Sequence, residues 1–223
     1  MADQTSTASR PQLEGAAIVL VGNFNPPIFQ PAWFAAKKLL PDAEAEEAAD
    51  VMISSDIASF TAEWLTVQVM QQRFQAATPD PSKYGPLLDL VVGTFTFLEH
   101  TPFNRAGLNH QAHYALPSEE KWHAFGDLLV PKPQWSSLFE GRVGMRSLTV
   151  EGRRAGCEAK YIRATVEPSN RVTPNGVYFA INEHYEAEGP EASKGLLDTL
   201  KRNWEESGRF ADAVQKRLLS QNY

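Results

Sequence analysis

The sequence predicts an α+β fold, a mainly antiparallel sheet of about six or seven strands with helices packed on one side. Three observations predict it. Strand-like runs come in pairs and in a final triplet, not in strict alternation with helices. One run alternates apolar and polar residues, the pattern of a half-buried antiparallel strand. Three helical stretches each carry one apolar stripe. The order reads β-α-β-β-α-β-α-β-β-β-α. Residues 1–12 read as a disordered tail and residues 13–223 as a single α+β domain, with two lobes meeting near residues 131–141 as the alternative division. The two halves look loosely alike, but no sequence repeat stands out.

The first strand is the continuously apolar run Ala16 to Val21, rich in β-branched residues and read as buried on both faces. Gly22 to Pro27 ends it, since proline removes a backbone donor and fixes φ. Pro31 suits the first position of a short helix that Pro41 closes. The acidic run 42–50 reads as a solvated turn or helix. Val51 to Ser54 and Ala58 to Val69 read as two strands. In the second, Leu65, Val67 and Val69 take one face and Trp64, Thr66 and Gln68 the other.

Pro79, Pro81, Gly85 and Pro86 delimit a loop. A helix is predicted from about Leu87 to His100, with Leu87, Leu88, Val91, Val92, Phe95 and Leu98 along its apolar stripe. Residues 104–116 read as a strand. Ser118 is the expected N-cap of a helix carrying Trp122, Phe125, Leu128 and Leu129, stopped by Pro131 and Pro133. Met145–Gly152, Ala159–Glu167 and Gly176–Glu186 read as consecutive strands joined by turn-rich loops. A helical region over about 191–220 closes the chain, with Ser207-Gly208 as a candidate kink.

Composition bounds the function. Apolar residues make up 43% of the chain and charged residues 22%, as in an ordinary globular protein, and the twelve Phe and five Trp exclude disorder of the whole chain. A net charge of −6 argues against coating nucleic acid. Cys157 is the sole cysteine, so neither an intramolecular disulfide nor a thiolate metal site can form, and it reads as a bystander thiol at a turn-to-strand junction. No signal segment or membrane span is evident, and a cytoplasmic location is expected. No phosphate-binding loop, HExxH motif or GxSxG elbow occurs, so neither a metal nor a cofactor is expected.

The densest cluster of chemistry-bearing side chains is Glu99 to His113, which holds three of the five histidines. Strand periodicity divides it. His110 falls on the apolar face, as a core histidine hydrogen-bonded to backbone, while Arg105, Asn109, Gln111 and His113 fall on the polar face. In the last strand, Val177, Phe179 and Ile181 take the core face and Tyr178, Asn182, His184 and Glu186 the other. Arg105, Asn109, Gln111, His113, Tyr178, Asn182 and His184 are therefore the candidate interaction face, because Tyr and Arg suit protein contacts. Glu99, His100, Asn109 and His113 are the candidates for catalysis if the chain is an enzyme, since a carboxylate can orient an imidazole. Residues 142–171 carry seven cationic side chains against three carboxylates. Arg146, Arg153, Arg154 and Arg163 are thus the candidates for phosphate or nucleic-acid contact.

Asn23-Phe24-Asn25-Pro26-Pro27-Ile28, Glu63-Trp64-Leu65, and His100-Thr101-Pro102-Phe103 through Gly107-Leu108-Asn109 occur in that order. With them the chain resembles a sporadically distributed bacterial protein family of unknown function and similar length. The resemblance covers most of the chain and implies nothing about catalysis. A patchy distribution suits accessory or mobile-element roles, antiviral defence among them. The leading expectation is a non-catalytic interaction or accessory component of a larger bacterial assembly, with another protein or a further copy of itself as partner. The alternatives are a ligand-binding or hydrolytic enzyme using the 99–113 cluster, and anion contact through the basic hairpins.

Overall fold

The computed structural model describes residues 10–221, so most of the expected N-terminal tail lies outside the described residues. The strands are β1 (Leu13–Gly22), β2 (Ala49–Ile53), β3 (Ile57–Thr61), β4 (Thr66–Met70), β5 (Arg73–Thr78), β6 (Phe103–Ala115), β7 (Leu148–Gly152), β8 (Tyr161–Pro168) and β9 (Gly176–Glu186). They form one sheet in the order β2-β3-β4-β5-β1-β6-β9-β8-β7, and every neighbouring pair is antiparallel. The helices are α1 (Pro31–Ala36), α2 (Asp42–Glu46), α3 (Tyr84–Phe97), α4 (Glu119–Leu129), α5 (Pro133–Ser136) and α6 (Ala192–Leu219).

The class is α+β, but the sheet has nine strands, which corrects the expected six or seven. Both extra strands come from residues 58–78. The run from Ala58 to Val69 is two strands, folded back at Glu63-Trp64, where the Ala62 and Leu65 amides each donate to the other's carbonyl at 2.8 and 3.2 Å. Gln71-Gln72 then turns the chain again, so that Met70 pairs with Arg73. Neither turn contains the Gly, Pro, Asn or Asp that usually marks one. Each two-residue turn also shifts the inward parity by one, so the buried residues pass from Ala58 and Phe60 to Val67 and Val69 and then to Phe74 and Ala76.

The chain travels the same circuit twice. A strand is followed by short helices, then by an antiparallel meander whose last strand returns beside the first, then by a longer helix. β1, β2–β5 and α3 make the first circuit; β6, β7–β9 and α6 make the second. The two circuits meet at the β1–β6 ladder, in which Leu13 pairs with His113 and Val21 with Arg105.

The helices cover one face. Ile18 and Leu20 of β1, Phe60 of β3, Phe74 of β5, Leu108 of β6 and Phe179 and Ile181 of β9 are buried there. Phe95 of α3 meets Phe74 edge-on at 5.0 Å, Phe34 of α1 meets Phe60 at 5.5 Å, and Phe125 of α4 meets Phe179 at 6.2 Å. Edge-to-face rings of this kind fill volume while satisfying the ring quadrupoles. α4 starts at the expected cap, with the Lys121 amide donating to Ser118 Oγ at 3.2 Å. α6 runs unbroken through Ser207 and Gly208, so it is not split there. These small residues let it approach β6: a Cβ on Gly208 would lie 3.5 Å from His110 Cε1. Among the described residues no helix is long and apolar enough to cross a membrane.

Candidate functional site

Side chains alternate across a strand, so the face opposite the helices carries what the core rejects. β6 and β9 lie side by side, and their outward residues merge into one array. Asn182 Nδ2 donates to Asn109 Oδ1 at 2.7 Å, and Tyr178 Oη donates to Gln111 Oε1 at 3.3 Å. The array continues onto β8 and β7. The Tyr161 ring stacks on His184 with centroids 4.6 Å apart, and the Arg163 guanidinium lies 4.9 Å from the Tyr161 ring centre. Arg163 also donates to Glu151 at 2.7 Å, and the Thr149 and Thr165 hydroxyls are 3.0 Å apart. Glu186 accepts from Lys160 and lies 3.0 Å from His184 Nε2, with Arg105 Nε at 3.8 Å. The hydrogen bond from Lys160, then that from His184, hold the Glu186 carboxyl below its ordinary range. All seven residues of the candidate interaction face therefore sit on two adjacent strands.

His113 is on this face but is buried. The Tyr178 ring packs over it at 4.7 Å, and its Nδ1 lies 2.8 Å from Ser169 Oγ. Burial, then the charge of Arg171, lower its pKa. His110 is on the helix face, as alternation requires, but its Nε2 has no hydrogen-bond partner among the described residues. Its neighbours are the rings of Trp204 at 5.4 Å and Tyr84 at 6.2 Å. Burial pushes its pKa down to about 4, so the imidazole is neutral at pH 7.

The four candidate catalytic residues do not share one pocket. Glu99 and His100 follow α3, 3.7 Å apart and almost fully exposed, on the rim of a cleft of about 1280 Å³ between the ends of α3 and α6. Asn109 and His113 line no part of that cleft. The candidate anion-binding arginines also separate. Arg163 belongs to the open face, while Arg153 Nε donates to the Lys160 carbonyl at 2.8 Å. Arg154 turns toward the helix side, where it pairs with Glu206 and, at 3.3 Å, with Glu183, under the Phe210 ring. Arg146 is exposed in the segment before β7.

Sequence reasoning passed over Glu183. It is fully buried on the core face of β9, and the Tyr185 hydroxyl donates to its Oε2 at 2.6 Å. Cys157 Sγ stands 3.9 Å from both Glu183 Oε2 and the Tyr185 hydroxyl, so the thiol expected to be a bystander belongs to this buried polar group. Burial, then the bond to Glu183, raise the Tyr185 pKa. The signal was available: Val177, Phe179, Ile181, Glu183 and Tyr185 share one parity, so a carboxylate interrupts an apolar row. Ion pairing repays such burial only when the remaining lone pairs are also satisfied, which Arg154 and Tyr185 do here.

The edge strands are the other exposed elements. All five residues of β2 are exposed, with Val51, Met52 and Ile53 among them, and Val150 of β7 is exposed too. In sequence, Asp42, Glu44, Glu46, Glu47, Asp50 and Asp56 flank or lie in β2, whereas Arg146, Arg153 and Arg163 flank β7, Arg163 being paired with Glu151 of β7. Among the described residues, no three His, Cys, Asp or Glu side chains are grouped to hold a metal ion. No protein-family model matches the chain, and no curated protein matches it.

Proposed function

We propose that this chain is a non-catalytic interaction component that recognises a second copy of itself through the open face of its sheet. The observation that carries the reading is the continuous polar and aromatic array across β6, β9, β8 and β7. Its side chains are already held by one another, so little rotamer freedom remains to be lost on docking. Its charges are balanced locally: Arg105, Lys160 and Arg163 face Glu151, Glu167 and Glu186. A chain of net charge −6 can meet its own copy there without like-charge repulsion.

Size-exclusion chromatography with light scattering tests this at micromolar concentration. The expected result is a closed dimer that Gln111→Arg combined with Arg163→Glu returns to monomer without loss of fold. A wild-type chain that stays monomeric up to the solubility limit refutes the reading.

The acidic β2 edge and the basic β7 edge favour a second reading, in which copies join edge to edge. That association is heterologous and open-ended. Its mark is a mass that climbs with concentration and falls with added salt, instead of stopping at two copies.

A further inference from the structure

A second concavity lies on the helix side, where α3, α6, β1 and β6 converge. It encloses about 630 Å³, within the range of small-molecule sites. Tyr84, His110 and Trp204 form one wall, each ring within 6.3 Å of the other two. The charged residues around it are Glu14, Asp89, Glu205 and Asp212 against Lys201 and Arg209. Lys201 is drawn 3.7 Å from Asp198, outside the cavity, and Arg209 pairs with Glu205 at 3.8 Å. Among the described residues the Glu14 and Asp89 carboxylates have no ion pair; Asp212 has Lys216 at 3.5 Å.

Two features ask for an occupant. His110 is more than nine-tenths buried and lines the cavity, and among the described residues its Nε2 has no partner. A buried polar nitrogen left unpaired is destabilising, and a hydrogen bond to it would relieve that cost. The carboxylates also act on one another across the space. Burial, then Asp212, raise the Glu14 pKa; burial, then the charges of Glu14 and Asp212, raise that of Tyr84. A cation between them would relieve this repulsion, and the faces of Trp204 and Tyr84 would hold its apolar stem.

We propose that this cavity binds an organic dication bearing N–H donors, of the alkyl diamine class. An ammonium donates to Glu14 and Asp212, and its excess positive charge matches a lining of four carboxylates and two cations. A quaternary ammonium has no N–H for a carboxylate or for His110.

Isothermal titration with 1,4-diaminobutane at low ionic strength and neutral pH tests the assignment, with tetramethylammonium and succinate as comparators. The expected result is one site per chain for the diamine and none for succinate. Glu14→Gln and Asp212→Asn should each weaken binding at least about tenfold, as expected for loss of one charge-assisted hydrogen bond. Asp56→Asn, on the far side of the sheet order, should leave it unchanged. The ¹⁵N resonance of His110 should shift on binding, which is a readout of place as well as affinity. Absence of binding at millimolar diamine overturns the proposal. So does equal loss in Asp56→Asn, or tetramethylammonium bound as tightly as the diamine. The cavity and the open face lie on opposite sides of the sheet, so either assignment can fail without the other.

Discussion

His110 makes the protein acid-labile in a window that can be calculated. The folded imidazole has a pKa of about 4, against an ordinary value of 6.5, chiefly because burial penalises the charged form; Asp212 opposes that shift in part. Below pH 6.5 the unfolded chain binds a proton here that the folded chain refuses. Stability is therefore full above pH 6.5 and is lost as pH falls toward 4. One pKa unit corresponds to about 1.4 kcal/mol, so the shift amounts to a loss of about 3 kcal/mol across the window. That is a large share of the 5–15 kcal/mol typical of a folded domain. His110→Leu keeps the volume nearly constant and removes the titration. Urea unfolding followed by tryptophan fluorescence, from pH 8 to pH 4, measures both proteins. The wild type should lose about 3 kcal/mol more than the variant over that range. Glu14, whose raised pKa acts in the opposite sense, is present in both and cancels in the difference. Parallel stability curves would refute the reasoning.

Two other perturbations follow from buried geometry. Glu183→Leu removes the partner of Arg154 at 3.3 Å and the acceptor of the Tyr185 hydroxyl at 2.6 Å, and should lower unfolding free energy by about 3 kcal/mol in urea denaturation. A loss under about 1 kcal/mol would mean that Glu206 alone satisfies Arg154. Gly176→Ala places a Cβ 1.7 Å from the Val172 carbonyl and should cost more than about 2 kcal/mol, whereas Gly195→Ala, in α6 with open space around it, should stabilise by roughly 0.5–1 kcal/mol in the same assay.

Much of the fold was legible because local chemistry and tertiary role agree. β1, β6 and β9, the Ser118 cap and α6 all appear near their expected bounds. The failure between residues 58 and 78 has a local cause, since Glu63-Trp64 and Gln71-Gln72 turn through backbone pairing with no turn-forming residue. At the sites, periodicity told which way His110 and His113 point but not what meets them. His113 is covered by Tyr178 and Ser169, Arg154 is drawn in by Glu183 and Glu206, and His110 meets rings from α3 and α6. Each partner is distant in sequence, and only the tertiary arrangement of strands, helices and loops brings them together.

The doubled circuit has a kinetic consequence. Within each meander the strands are joined by adjacent hairpins, as where Met70 meets Arg73, so their loops close at small entropic cost. The β1–β6 ladder joins Leu13 to His113, and β6 to β9 joins Arg105 to Glu186. Those closures join residues 100 and 81 positions apart, far more than any hairpin within a meander, and are favoured only once both meanders stand ready. Folding should be slow for a protein of this size, with the hairpins assembling early and the central seam zipping last.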